Sequence, residues 1–191
     1  MFFLYIIPVG LLVGFAAGGK PSNLEKLPLR WIGLLLPALI IQLLIFPTFT
    51  STALFSYATA PLHILSYCML VLWIVGNRGL TPILVLAAGA VCNMLALLFN
   101  GGFMPASVGA LQKAGLPILA ETLINNGAYS NLILMSSDTR LNLLGDLLYI
   151  PKWIPFSSAF SIGDLLISLA LVWLIAKGMR TTHDKRPVQA A

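Results

Sequence analysis

The sequence predicts an all-α protein: a polytopic transmembrane helix bundle of about five spans, with short helices in an outer segment. Three observations predict it. Of 191 residues, 59% are hydrophobic and only 9% are charged, against roughly 25% charged in a soluble domain, which is too little charge to cover a water-facing surface. Several apolar runs reach the length of about 18 residues that marks a bilayer span. The basic residues gather in short segments flanking those runs, where they orient a chain in a membrane.

The expected spans are residues 1–19, 29–46, 61–76, 82–99 and 161–176, in a single membrane domain covering 1–191. The first ends in the small residues Ala16-Ala17-Gly18, like a signal peptide. No Lys or Arg precedes its apolar stretch, so an uncleaved span is expected. Pro37 is expected to kink the second span, and Pro82 suits the start of the fourth. No internal repeat is evident. Cys68 and Cys92 fall inside apolar runs and read as small hydrophobes.

Lys20, Lys26 and Arg30 lie between spans one and two, Arg78 lies between three and four, and Lys177, Arg180, Lys185 and Arg186 follow span five. The segment from Pro47 to Ala60 has no Lys or Arg. This alternation predicts an N-terminus outside and a C-terminal tail, residues 177–191, in the cytoplasm. The net charge of +5 is spent on that orientation, so nucleic acid is not an expected partner, whereas the lipid bilayer is.

The outer segment, residues 100–160, is where function is expected. Asn100-Gly101-Gly102 reads as a helix stop. A short helix is expected from Pro105 to about Ala114 and a second over Ile118 to Asn125, while Leu132 to Met135 is too short to span. Helical rise also gives a depth gauge. Measured from the basic residue at the inner end of each span, Asp164 lies about 20 Å in, Asn93 and His63 about 22 Å and Gln42 about 18 Å. Four polar side chains from four spans thus share one layer. They line an outward-opening polar pocket, or they make separate interhelical hydrogen bonds.

The stretch before the last span repeats Gly-Asp-Leu-Leu, at Asp146 and at Asp164. Paired carboxylates do not both ionise easily; one stays protonated as an acid while the other activates water. The structural alternative for Asp164 is a capping box with Ser161. Asp138, before Thr139 and Arg140, reads as a cap or a surface ion pair, and Asp146 as a closure of the outer segment onto a backbone amide.

Asn100-Gly-Gly-Phe-Met-Pro-Ala-Ser, Asp138-Thr-Arg-Leu with Leu144-Gly-Asp, and Phe160-Ser-Ile-Gly-Asp164 carry a resemblance to an uncharacterised bacterial membrane family, the domain of unknown function numbered 5317. It implies a topology and a bacterial cytoplasmic (inner) membrane location, and no activity. The C-terminal part is also similar to signal peptidase II, the membrane aspartyl protease that cleaves prolipoproteins. That family has one catalytic Asp before its last helix and another in a Phe-Asn-x-Ala-Asp motif opening it, places held here by Asp146 and by Phe160-Ser161-Ile162-Gly163-Asp164. Ser161 replaces the motif's Asn and Gly163 its Ala, and where that family places two spans between its Asn motif and its first catalytic Asp, only the short outer segment lies between Asn100 and Asp146 here.

Three functions follow as expectations. The first is a membrane aspartyl endopeptidase with Asp146 and Asp164 as catalytic residues and a polar surround of Gln42, His63, Asn93, Asn100, Asp138, Arg140 and Ser161. The second is a non-enzymatic accessory or scaffold subunit of a membrane complex, with a lipoprotein or another membrane protein as partner. The third is a small carrier, disfavoured by the absence of inverted repeats. No cofactor is expected, and His63 and His183 are too few for a metal site.

Overall fold

The protein is described here by a computed structural model that covers residues 5–45 and 59–180. Among these residues the order is α1 (Ile6–Ala16), a 3-10 stretch (Pro21–Lys26), α2 (Leu35–Ile45), α3 (Thr59–Asn77), α4 (Thr81–Phe99), β1 (Met104–Ala106), α5 (Val108–Lys113), α6 (Pro117–Asn126), β2 (Ala128–Tyr129), β3 (Leu132–Leu134), β4 (Leu148–Tyr149), β5 (Ala159–Phe160) and α7 (Ile162–Arg180). The long helices pack side by side in the order α2, α3, α4, α7, α1.

Among the described residues α4 and α7 are long and apolar enough to cross a membrane. Each has 19 residues, so each rises about 28 Å against an apolar bilayer core of about 30 Å. The apolar helices α1 and α2 and the apolar part of α3 are shorter. The core lies between α3, α4 and α7, where Trp73, Ile83, Leu86, Ala90, Ala170 and Leu174 are buried together. Leu65, Leu72, Leu84, Val91, Leu98 and Leu169 point outward and are exposed, while His63, Ser66, Asn77, Asn93 and Ser168 are buried. Exposed apolar side chains around a core that also buries polar ones are compatible with helices that face lipid.

The structure corrects several sequence expectations. The chain is mostly helical but not all-α. The outer segment folds as a three-stranded sheet of order β1-β3-β2, with β1 and β3 parallel, and a two-stranded antiparallel pair, β4-β5. The apolar run at Leu132–Leu134, too short to span, is the central strand of the first sheet. Pro105 does not open a helix: it sits in β1, and α5 begins after Ser107, whose Oγ accepts from the Ala110 amide at 3.4 Å.

The second span is not helical from Leu29. Trp31 is left-handed (φ 53), a 3-10 turn covers Ile32–Leu34, and α2 follows. Pro37 therefore stands in the first turn of α2, where a proline costs no ladder hydrogen bond, rather than kinking a long helix. Helix α7 continues past residue 176 to Arg180. The Met179 carbonyl accepts from the Lys20 amide and from Asn23 Nδ2, both at 2.8 Å, so the chain after α1 holds the end of α7 in place. The expected start of span one at residues 1–4, the end of span two at Phe46, most of the loop that follows it, and the tail with His183, Lys185 and Arg186 lie outside the described residues.

Helix α4 ends as its sequence predicts. Gly101 (φ 66) and Gly102 (φ 92) turn the chain back, and the Gly102 amide donates to Leu97 O at 2.7 Å. Asn100 then holds a distant strand of chain. Its Nδ2 donates to Ala96 O (2.7 Å) and Arg140 O (2.8 Å), and its Oδ1 accepts from the Arg140 amide (2.8 Å). Asn77, at the other end of the α3–α4 hairpin, does the same to Arg30, with bonds of 2.8 and 2.9 Å plus 2.8 Å to Trp73 O. In both places the next residue is left-handed (Trp31 and Leu141) and a 3-10 turn follows.

Leaving a buried donor or acceptor unpaired costs about 1–3 kcal/mol. Asn77 is buried and Asn100 half-buried. Asn77→Ala is therefore expected to lower the melting temperature in detergent more than Asn100→Ala, with each variant measurably below wild type.

Candidate carboxylate site

The site begins with a close crossing of α4 and α7. A Cβ on Gly89 would lie 2.9 Å from both Ile167 Cγ1 and Leu166 Cβ, and one on Gly163 would lie 2.7 Å from Gly89 O and 2.6 Å from Asn93 Cγ. Two facing glycines let the backbones touch, as small residues do between membrane helices. Asn93, one turn after Gly89, is thereby laid across the first turn of α7.

Every polar atom of Asn93 is used there. Its Nδ2 donates to Asp164 Oδ1 (2.7 Å) and to the Tyr67 hydroxyl (3.0 Å), and its Oδ1 accepts from Ser161 Oγ (2.8 Å). Ser161 and Asp164 close a capping box: the Asp164 amide donates to Ser161 Oγ (2.9 Å), and the Ser161 amide donates to Asp164 Oδ2 (3.1 Å). This is the cap that the Ser-x-x-Asp spacing predicts, so Asp164 is both a helix cap and the hub of an interhelical network.

Asp146 arrives from the outer segment. Its amide donates to Pro105 O (2.8 Å) and its carbonyl accepts from the Ser107 amide (3.1 Å), so residue 146 bridges to Ala106 in parallel register at the end of β1. Gly145 makes that approach close, since a Cβ there would run into Pro105 O. Pairing of Leu148 with Phe160 and of Tyr149 with Ala159 folds the following hairpin so that its two ends meet. Asp146 precedes that hairpin and Asp164 follows it. The two half-buried carboxylates come within electrostatic reach of each other and of Tyr67.

Burial, and then the negative charge of Asp164, push the Asp146 carboxyl well above its usual value of 3.8. Among the described residues no donor reaches the Asp146 carboxylate, whereas Asp164 accepts from Asn93 and from the Ser161 amide. A proton shared by the pair therefore resides on Asp146. The pH dependence has a defined sign. The folded chain keeps a proton on Asp146 that the unfolded chain has released above its lower pKa. Stability is then lost as pH rises from near 3.8 toward the raised folded value. A melting series against pH is expected to show this slope in wild type and a shallower one in Asp146→Asn.

The remaining predicted residues divide. Gln42 Nε2 donates to Ser66 Oγ (2.5 Å), which donates to His63 O (2.7 Å). The His63 ring lies 5.3 Å from that of Tyr67 and interacts with the Gly102 backbone. Gln42, His63, Asn93, Ser161 and Asp164 are thus linked through Ser66 and Tyr67. Asn100 and Arg140 meet each other, through the Arg140 backbone. Asp138 and Arg140 are exposed and stand apart from the carboxylates; Asp138 belongs to a turn in which its amide donates to Ser136 Oγ at 3.2 Å. A polar surround that includes the side chains of Asp138 and Arg140 is not what the structure shows. Sequence reasoning missed Ser66 and Tyr67, although they stand three and four positions after His63 and so share its helix face. Among the described residues no group of three or more His, Cys, Asp or Glu side chains is placed to hold a metal.

Fold and site together define a mostly helical protein with, among the described residues, two helices long and apolar enough to cross a membrane and a half-buried carboxylate pair where one of them begins. Residues 26–176 match a family of unknown function, DUF5317, and the chain belongs to that family. It is also 28% identical over 126 residues to an uncharacterised protein of Thermotoga maritima, which covers 64% of this chain and 67% of that protein. No solved structure matches.

Proposed function

We propose that this is a multi-pass protein of the bacterial cytoplasmic membrane, with five spans, its N-terminus outside and its C-terminus inside, and that Asp146 and Asp164 hydrolyse a peptide bond of a membrane-anchored substrate at the outer face. One observation carries the reading: two carboxylates from separate segments come within electrostatic reach of each other, one with hydrogen-bond donors and, among the described residues, one without. In this reading Asp164, held by Asn93 and the Ser161 amide, takes a proton from water as the water oxygen bonds to the scissile carbonyl carbon. Asp146 gives its proton to the carbonyl oxygen. Collapse of the diol breaks the C–N bond: the proton held by Asp164 passes to the leaving amine, and one diol hydroxyl returns its proton to Asp146 as the carbonyl re-forms.

The capping box supports a second reading, a non-enzymatic accessory or scaffold subunit, because a cap and an interhelical hydrogen bond are sufficient reasons for Asp164. The two readings part in cells whose signal peptidase II is inhibited. Wild-type protein is expected to sustain prolipoprotein processing, and Asp146→Asn and Asp164→Asn to lose it. Unchanged processing in every arm ends the protease reading and leaves the scaffold.

A further inference from the structure

The turn that links the two aspartates carries the least covered aromatic side chains of the outer segment. Between β4 and β5 the chain reads Ile150-Pro-Lys-Trp-Ile-Pro-Phe-Ser-Ser158. Trp153 is 78% exposed and Phe156 is 55% exposed. This turn is anchored at both sides. The Tyr5 hydroxyl, at the start of α1, donates to Pro155 O, and the Tyr5 ring packs edge-on against Phe156 at 6.2 Å. Gly115, in the turn between α5 and α6, leaves no room for a Cβ beside Lys152 Cβ. Phe156 is held in the left-handed region (φ 54).

We infer that the β4–β5 turn is a lipid-facing anchor, with Trp153 and Phe156 seated in the outer leaflet at headgroup level. The inference rests on the outer-face placement proposed above. The occupant is lipid rather than protein for two reasons. The turn is continuous, through Tyr5, with α1, whose Ile7, Val9, Leu12 and Phe15 are exposed and apolar. Trp, Phe and a neighbouring Lys152 also form the mixture that settles at a membrane interface, rings in the acyl boundary and the ammonium in the headgroups. Because the same hairpin pairs Asp146 with Asp164, seating its turn in lipid sets the carboxylates at the height at which a membrane-anchored chain emerges from the bilayer.

The test uses the full chain reconstituted in phosphatidylcholine–phosphatidylglycerol vesicles. Fluorescence of wild type minus that of Trp153→Phe isolates Trp153 without touching Trp31, Trp73 or Trp173. Bromine placed near the headgroup end of the acyl chains is expected to remove most of that difference signal, bromine near the chain ends less of it, and aqueous iodide little. A difference signal quenched by iodide and indifferent to brominated lipid overturns the anchor. Equal melting temperatures in detergent for wild type and Trp153→Phe, expected for so exposed a side chain, show that the subtraction compares like folds. If Trp153→Phe melts lower, Trp153→Tyr replaces it in the subtraction. The readout is independent of catalysis. An inert Asp146→Asn comparison with a lipid-quenched Trp153 removes the protease reading and keeps the anchor, and the converse removes the anchor alone.

Discussion

On the proposed hydrolytic reading, Asp146→Asn is expected to slow peptide-bond cleavage by about 10²–10⁴-fold, the usual contribution of a positioned acid, without weakening the fold. The folded state holds Asp146 neutral, and the side-chain amide of Asn is neutral and of similar size. Asp146→Asn therefore matches the protonated form that burial and the neighbouring charge already favour. Above the unfolded pKa it is expected to melt no lower than wild type. Asp164→Asn gives the informative contrast. On the same reading it removes the base, with a loss of activity of the same order, and it leaves one side-chain oxygen for two donors, Asn93 Nδ2 and the Ser161 amide of the cap. Losing that cap bond costs about 0.5–2 kcal/mol. Activity lost in both variants, with melting lowered only in Asp164→Asn, assigns one residue to chemistry alone and the other to chemistry and capping together. Full activity in either variant is incompatible with the two-carboxylate mechanism.

The second large effect is on packing. Gly163→Ala places a methyl group against the Asn93 side chain and the Gly89 carbonyl. Neither is the loose end of a flexible chain: one is backbone and the other is fixed by bonds to Tyr67, Asp164 and Ser161. Overpacking a close contact costs about 1–3 kcal/mol, and separating the helices also stretches the Asn93–Asp164 bond. Gly163→Ala is expected to lower the melting temperature and to reduce activity together. If Gly163→Ala melts like wild type and keeps full activity, the glycine crossing does not position the site.

Much of the frame was legible in the sequence. The apolar runs of α3 and α4 were placed to within a few residues, because a long apolar helix leaves an unbroken signature. The Asn100-Gly-Gly stop and the Ser161–Asp164 cap were legible because both are local in sequence. The depth gauge placed Gln42, His63, Asn93 and Asp164 in one layer, and the structure links them through Ser66 and Tyr67. What was not legible depends on non-local pairing. Two- and three-residue strands such as Leu148–Tyr149 and Leu132–Leu134 are too short to show an alternating pattern, and their partners lie far along the chain. The approach of Asp146 to within electrostatic reach of Asp164 needs that hairpin, so the sequence supported only a spacing argument. Asp138 and Arg140 were drawn in by charge, although it is the Arg140 backbone that is gripped, by Asn100.

The two asparagine clamps recur at opposite ends of one hairpin, and this has a mechanical consequence. Helices α3 and α4 form a strut whose far ends grip the chain just before α2 and, at the other end, the chain leading through Asp146 toward α7. A tilt of the strut that relaxes one grip strains the other, because each is a bidentate bond to a left-handed corner with little slack. Load applied at Asn77 is therefore delivered to the Arg140 corner, and from there to the segment that carries Asp146. A substitution at Asn77, at the far end of the hairpin from the carboxylates, is in this way expected to change their separation while every residue around them stays the same.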